Sequence, residues 1–306
     1  MAVDPSMDLA ELIDKFGDED ACFAFLEELR WPDGVRCPRC DSDKISRIKK
    51  RRQFDCDACR YQFSAKAGTI FHDSHLPLRK WFLAIFILCE AKKGMSANQL
   101  KRMLGVSYKT AWYLCHRIRA AMKVEGAPLL SGIVEADETY IGGKLPRGHR
   151  SRQEVARQRL SNKTIVIGAR ERGGELRVRV LPTAEREHVQ GFLKDVVADD
   201  AEAIYTDSHR SYRGIADHNT RHEYVDHSAD EWVRGDVHTN TVESAWSLFD
   251  RAIMGSYHHL SPKHLQAYLD EFAFRFNNRD NPFLFRDTLL RLVESEALPY
   301  AELIES

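Results

Sequence analysis

Apolar positions recur at helical spacing in the first part of this chain and at strand-like spacing further on. Leu9, Leu12, Ile13 and Phe16, then Cys22, Phe23, Phe25, Leu26 and Leu29, predict two short helices within Asp8 to Leu29, broken near Gly17. Trp31-Pro32-Asp33-Gly34 reads as a turn, and short strands are expected over Lys44 to Phe54 and Tyr61 to Ser64. From Leu78 to Met122 the period is wholly helical. Trp81, Phe82, Ile85, Phe86 and Cys89 mark a first helix, Ser96 caps a second over Ala97 to Leu104, and Gly105-Val106-Ser107 turns the chain into a third, Tyr108 to Met122. Ala111, Leu114, Cys115, Ile118 and Met122 form the inward stripe of that third helix. Lys109, Tyr113, His116 and Arg117 are left on its outward side, the arrangement of a helix-turn-helix that reads a major groove.

After Gly126 and Pro128 the apolar runs become strand-like. Ile133 to Ile141 forms one run, ending at the turn signal Gly142-Gly143. Lys163 to Arg170 and Glu175 to Leu181 form two more, joined by Arg172-Gly173-Gly174 as a hairpin. A helix over Ala184 to Val197 leads to a strand, Ala203 to Asp207. Val242, Ala245, Trp246 and Phe249 then recur at helical spacing. Three antiparallel strands, a helix and a further strand predict an α/β fold, a ribonuclease H-like mixed sheet preceded by smaller modules.

Composition changes this picture little. With 306 residues, 43% apolar and 30% charged, the chain can build two or three cores, and it has no long apolar run or signal-peptide pattern. A cytoplasmic protein with no membrane partner is expected. Charge matters more, because a net charge of −1 hides segregation. Residues 1–34 hold ten acids and two bases, 35–66 hold ten bases and four acids, and 78–123 hold ten bases and one acid. Such basic segments release counterions when they bind phosphate, so double-stranded DNA is the expected partner. Between Gly142 and Lys163, seven bases and one acid without a sustained period read as a basic arm.

Seven cysteines in a reducing compartment argue for metal rather than disulfides. Cys37, Cys40, Cys56 and Cys59 have the C-x2-C-x15-C-x2-C spacing of a zinc ribbon, whose four thiolates close a structural Zn²⁺ site. Lys50 and Arg51 fall at the ribbon's tip, where they can meet phosphate. Cys22, Cys89 and Cys115 lie in apolar helical patterns and read as core.

Three carboxylates stand out at element ends: Asp137 in its strand, Asp207 ending another, and Glu243 on a helix with 35 residues between it and Asp207. Acids brought together from separate elements can hold hard divalent cations, Mg²⁺ or Mn²⁺, for phosphoryl chemistry. No Gly-rich loop ending in Gly-Lys-Ser/Thr is present, so no nucleotide-triphosphate site is expected.

The four cysteines, the run Val134-Glu135-Ala136-Asp137-Glu138-Thr139-Tyr140-Ile141-Gly142-Gly143-Lys144, Tyr205-Thr206-Asp207, and His238-Thr239-Asn240-Thr241-Val242-Glu243-Ser244 together resemble bacterial insertion-sequence DDE transposases with an N-terminal zinc ribbon. Tyr268 to Phe272 and Arg275 to Arg279 also resemble that family, and the likeness spans nearly the whole chain. It implies that Asp137, Asp207 and Glu243 are the metal-binding triad. It further implies Mg²⁺-dependent cleavage at the inverted-repeat ends of an insertion sequence, and joining to target DNA by at least a dimer. Some relatives use another residue as third ligand. Glu243 is favoured here as the harder, charged ligand, with Asn240 one turn earlier as helper. Relatives commonly place a Lys seven residues after the Glu; here Asp250 stands there, followed by Arg251, which can compensate from about 100° around the helix. The alternative is a catalytically inactive, transposase-derived regulator that binds DNA through its ribbon and helix-turn-helix. The expected domains are an acidic helical segment over 1–34, the ribbon over 35–66, the helix-turn-helix over 77–124, the catalytic domain over 130–290 and a tail over 291–306.

Overall fold

The computed structural model describes residues 7–123, 126–142, 163–215 and 220–305. The expected basic arm lies, apart from its ends, outside the described residues. The chain divides into two units, Met1–Lys123 with Asp280–Ser306, and Val124–Arg279.

In the first unit the opening helical pattern becomes α1 (Leu9–Phe16) and α2 (Glu19–Arg30). Asp8 accepts from the Glu11 backbone N–H while the Glu11 side chain accepts from that of Asp8, a capping box that sets where α1 starts. The ribbon follows as β1 (Ile45–Ile48), β2 (Gln53–Cys56) and β3 (Gln62–Phe63), an antiparallel sheet in that order. The acids of α2 have local partners: Glu27 pairs with Arg47 and Asp20 with Arg52. Glu19 accepts from the backbone N–H groups of Leu78 and Arg79, capping α3 (Leu78–Glu90). The acidic start of the chain therefore docks on the basic modules that follow it.

α4 (Ala97–Leu104) and α5 (Tyr108–Met122) meet across a left-handed Gly105, with Ser96 and Ser107 as their N-caps. The outward face expected for α5 is overturned along most of its length. His116 and Arg117 are only 2% and 4% exposed. Arg117 donates to the carbonyls of Ile70 and His72 and stacks on Trp81 and Tyr113. The Tyr113 hydroxyl donates to the Leu298 carbonyl, and the Lys109 ammonium sits 4.3 Å over the Tyr300 ring. α5 is thus a central helix, exposed in its first turn at Tyr108 and Lys109 and again only at Ala120. Two surfaces cover it: the segment of Ile70 and His72 with Trp81 over Arg117, and the C-terminal segment with its helices Leu284–Glu294 and Tyr300–Glu305 over Tyr113 and Lys109. Phe285 stacks edge-on with Phe82 at 5.9 Å, and the hydroxyl of Thr288 meets Cys89 Sγ at 3.3 Å. The expected domain boundary at 290 accordingly moves: residues 280–306 belong with the N-terminal helices, because the apolar face of Leu284–Glu294 finds its partners there.

In the second unit, β4 (Ile133–Gly142), β5 (Lys163–Glu171), β6 (Leu176–Leu181), β7 (Ala203–Asp207) and β8 (Arg221–Val225) form one sheet in the order β6-β5-β4-β7-β8. β6, β5 and β4 run antiparallel, while β4, β7 and β8 run parallel. This is the mixed α/β, ribonuclease H-like arrangement expected above. β8 was not anticipated: its sequence, Arg-His-Glu-Tyr-Val, buries only Val225 at the sheet edge. Val134, Ala136, Ile167 and Ile204 pack on α6 (Arg186–Val196). The other face packs Ile141 and Val166 against α7 (Asn240–Ala252) and α8 (Leu265–Asn277). Gly168 makes the close approach of α7 possible: a Cβ there would lie 2.6 Å from the Trp246 ring. Among the described residues, no helix is long and apolar enough to cross a membrane.

Candidate active centre and zinc site

The sulfur atoms of Cys37, Cys40, Cys56 and Cys59 all lie within 4.8 Å of one another, with Cys37 to Cys59 and Cys40 to Cys56 both at 3.6 Å. A tetrahedral Zn²⁺ with Zn–S bonds near 2.3 Å needs sulfurs about 3.8 Å apart, so the donor set fits the ion. The ribbon's buried cluster is Cys37, Phe54, Cys56, Phe63 and Ala67, two of which are metal ligands, so little core would remain without the metal. Cys56→Ser is therefore expected to abolish the one bound zinc and make residues 35–66 protease-sensitive. Metal analysis and limited proteolysis check this, and full zinc content in the variant would contradict the site. At the ribbon's tip Lys49, Lys50 and Arg51 are exposed, with no side-chain partner among the described residues.

Alternation along a strand places the acids. Residues of one parity on β4 share a face, so Asp137 lies on the side of Glu135 and Ile141, toward α7, while Glu138 faces the side of Ala136. β4 pairs with β7 as Ile133 with Ala203, Val134 with Ile204 and Glu135 with Tyr205. Two more residues in that register set Asp137 beside Asp207. α7 brings Glu243 over the same face, where the Thr239 hydroxyl donates to Glu243 Oε1 at 2.7 Å and His227 Nε2 stands 3.8 Å from it. The His227 ring packs 4.5 Å from the exposed Trp232. The Asp137 carboxyl is pushed up to about 7, first by burial and then by the negative charges of Glu138, Asp207 and Glu243. Carboxylates that repel one another in this way suit a cation. The three are more widely spread than the zinc ligands, the four cysteines being the only tight ligand cluster among the described residues.

The raised carboxyl fixes a sign. Between the ordinary aspartate value of 3.8 and about 7 the folded protein holds a proton on Asp137 that the unfolded chain has released. Stability from this group is present below 3.8 and is lost as pH rises through 7. Metal-free protein is thus expected to melt progressively lower across that window, and Asp137→Asn should flatten the trend; an equal slope in the variant would remove Asp137 as its source.

A residue whose role the sequence does not announce joins these parts. Glu135 is 0% exposed, yet both its oxygens are engaged. Oε2 accepts from the backbone N–H groups of Thr241 and Val242, at 2.8 and 3.3 Å, in the first turn of α7. Oε1 accepts from Arg172 Nε at 2.6 Å and lies 3.2 Å from His238 Nδ1. A carboxylate two residues before Asp137 thereby holds the helix end that carries Glu243. Glu138, on the opposite face, accepts from the hydroxyls of Tyr212 and Ser211, and burial raises its pKa. In the sequence, Glu135 and Glu138 look like ordinary acids in a strand; only their parity relative to Asp137 hints at separate tasks.

Other expected site residues are less gathered. Asn240 is exposed at the first position of α7, one turn before Glu243. Arg251 donates to Ser247 Oγ at 2.9 Å on the exposed side of α7. Asp250 is exposed at the outer side of α7; partial burial raises its carboxyl pKa, and the positive charge of Lys163 at the start of β5 works against that.

Comparison with known proteins gives the family. The profile of the ISXO2-like transposase domain matches residues 129–277, and that of a transposase zinc-ribbon domain matches residues 17–62. A protein of Halobacterium salinarum, described as an uncharacterized protein in transposable element ISH50, is 33% identical over 276 residues, covering 86% of this chain and 92% of its own.

Proposed function

Because the chain belongs to the ISXO2-like transposase family, we propose that it cuts DNA at the ends of an insertion sequence and joins the freed 3′ ends to target DNA. Asp137, Asp207 and Glu243 are its metal-holding carboxylates. The observation that carries this reading is the β4–β7 register that brings Asp137 toward Asp207, with the charges of Asp207 and Glu243 both acting on the buried Asp137 carboxyl. Mg²⁺ or Mn²⁺ bound there would supply Lewis-acid activation of the attacking oxygen and neutralise charge on the leaving 3′ oxygen. The protein's own part is positional. Thr239 orients the Glu243 carboxylate, Glu135 holds the helix end, and the His209 backbone N–H donates to Asp207 Oδ1 at 2.9 Å. Asn240 is kept as a helper beside Glu243.

Double-stranded DNA is the partner, gripped by Lys50 and Arg51 on the ribbon and by the exposed first turn of α5 at Lys109. Tyr113, His116 and Arg117 serve instead as packing that supports this turn. Arg251, exposed on α7, is the basic contact proposed near the catalytic face. Bringing two ends together requires at least a dimer on DNA. Incubating the protein with Mg²⁺, DNA carrying the element's ends and a target plasmid should give joined products. Retardation of DNA without joining would instead support a regulator, the reading that Asp250 favours, and cut but unjoined DNA would indicate a nuclease.

A further inference from the structure

At the end of β7 that carries Asp207, on the α6 side of the sheet, lies an open cavity of about 560 Å³ lined by Arg186, His209, Arg210 and Arg213, with Glu185 as its one acid. None of the three guanidinium groups has a side-chain partner among the described residues, although they gather around one space and would repel one another. Nor is the segment that carries two of them loose. The turn Arg210–Tyr212 is clamped to β4 by Glu138, which accepts from Tyr212 and Ser211. It is clamped to α6 by Gln190, whose side-chain amide donates to the carbonyls of Ser211 and Arg213 at 3.1 and 3.0 Å. His209 lines the cavity while its backbone N–H bonds Asp207. A cationic wall without side-chain partners thus begins three residues after Asp207, at Arg210. Glu138, next to Asp137 in sequence, fastens it there.

We infer that Arg186, Arg210 and Arg213 form a seat for the phosphodiester backbone of the DNA strand that passes the active centre on the Asp207 side. Guanidinium forks match phosphate oxygens in geometry and charge, and three such groups outweigh the single Glu185. The inference rests on the reading of the site as a DNA-processing centre, and adds where the strand runs beyond it. Tyr212, Ser211 and Gln190 act here as positioning residues.

The test is the salt dependence of binding by the full chain, read as anisotropy of a fluorescein-labelled 40-base-pair duplex without divalent metal. Replacing all three arginines, as Arg186→Ala, Arg210→Ala and Arg213→Ala, should lower the slope of log affinity against log salt by about two to three, at roughly 0.9 per phosphate. Affinity near 100 mM salt should fall at least about tenfold. The corresponding triple lysine variant should recover most of the slope. An unchanged slope in the alanine variant overturns the seat, and so does an equal loss in both variants, since charge would not then be what was removed. Strand joining by the wild-type chain is assayed in parallel. Wild-type protein that binds with the expected arginine dependence but never joins DNA leaves the seat standing and removes the catalytic reading. Joining with an arginine-independent slope does the reverse.

Discussion

Asp137→Ala is expected to lower DNA cleavage and joining by about a thousandfold or more while leaving zinc content and metal-free DNA binding intact. The register of β4 against β7 brings Asp137 toward Asp207, and its carboxyl pKa is raised by burial and by the negative charges of Glu138, Asp207 and Glu243. Removing it takes away a ligand of the proposed ions, whose charge stabilisation is worth several kcal/mol, and each 1.36 kcal/mol is about a factor of ten in rate. The substitution also relieves repulsion among the remaining acids. DNA affinity without metal should therefore hold or rise slightly, and the metal-free protein should melt no lower than wild type at neutral pH. Activity within tenfold of wild type would show that the chemistry lies elsewhere. Lost binding with early melting would show a structural residue.

The largest stability effect should come from Glu135→Ala, at about 3–5 kcal/mol for breaking a buried ion pair. The substitution strands Arg172, whose guanidinium bonds Glu135 and His238, and uncaps the first turn of α7. Loss of the cap accounts for about 1 kcal/mol of the total. Because the zinc ribbon belongs to the other unit, zinc content should not change. Glu135→Gln keeps one acceptor oxygen without the charge and should fall between the two. Its activity should require more Mg²⁺ than wild type, since Glu243 would sit on a less firmly held helix end. Thermal melting with parallel Mg²⁺ titrations reads both effects. Melting of Glu135→Ala within a degree or two of wild type would mean that the cap adds little. Normal Mg²⁺ dependence of Glu135→Gln would mean that it does not position Glu243.

What the residues determine locally was legible from them. The cysteine spacing alone specified the ribbon, because two such knuckles have few uses outside a metal. The runs Ile133–Ile141 and Ala203–Asp207 became β4 and β7, since strand periodicity is set by neighbours in sequence; Asp207 ends β7 as expected, whereas Asp137 lies in the middle of β4 because the strand continues to Gly142. Asp137, Asp207 and Glu243 could be singled out in the same way, although the shared face depends on the register of β4 against β7. The rest was decided by partners remote in the chain. Helical period correctly assigned an inward stripe to α5, but periodicity does not say what covers the opposite side. There Tyr113 bonds a carbonyl 185 residues away, and His116 and Arg117 are buried with it. Leu284–Glu294 is amphipathic in any reading, and only packing could choose the N-terminal helices over the catalytic sheet. The cap by Glu135 and the gathering of three arginines belong to the same kind. A side chain's type and parity are written in the sequence, whereas the free energy that selects its neighbour is gained only when distant surfaces leave water together.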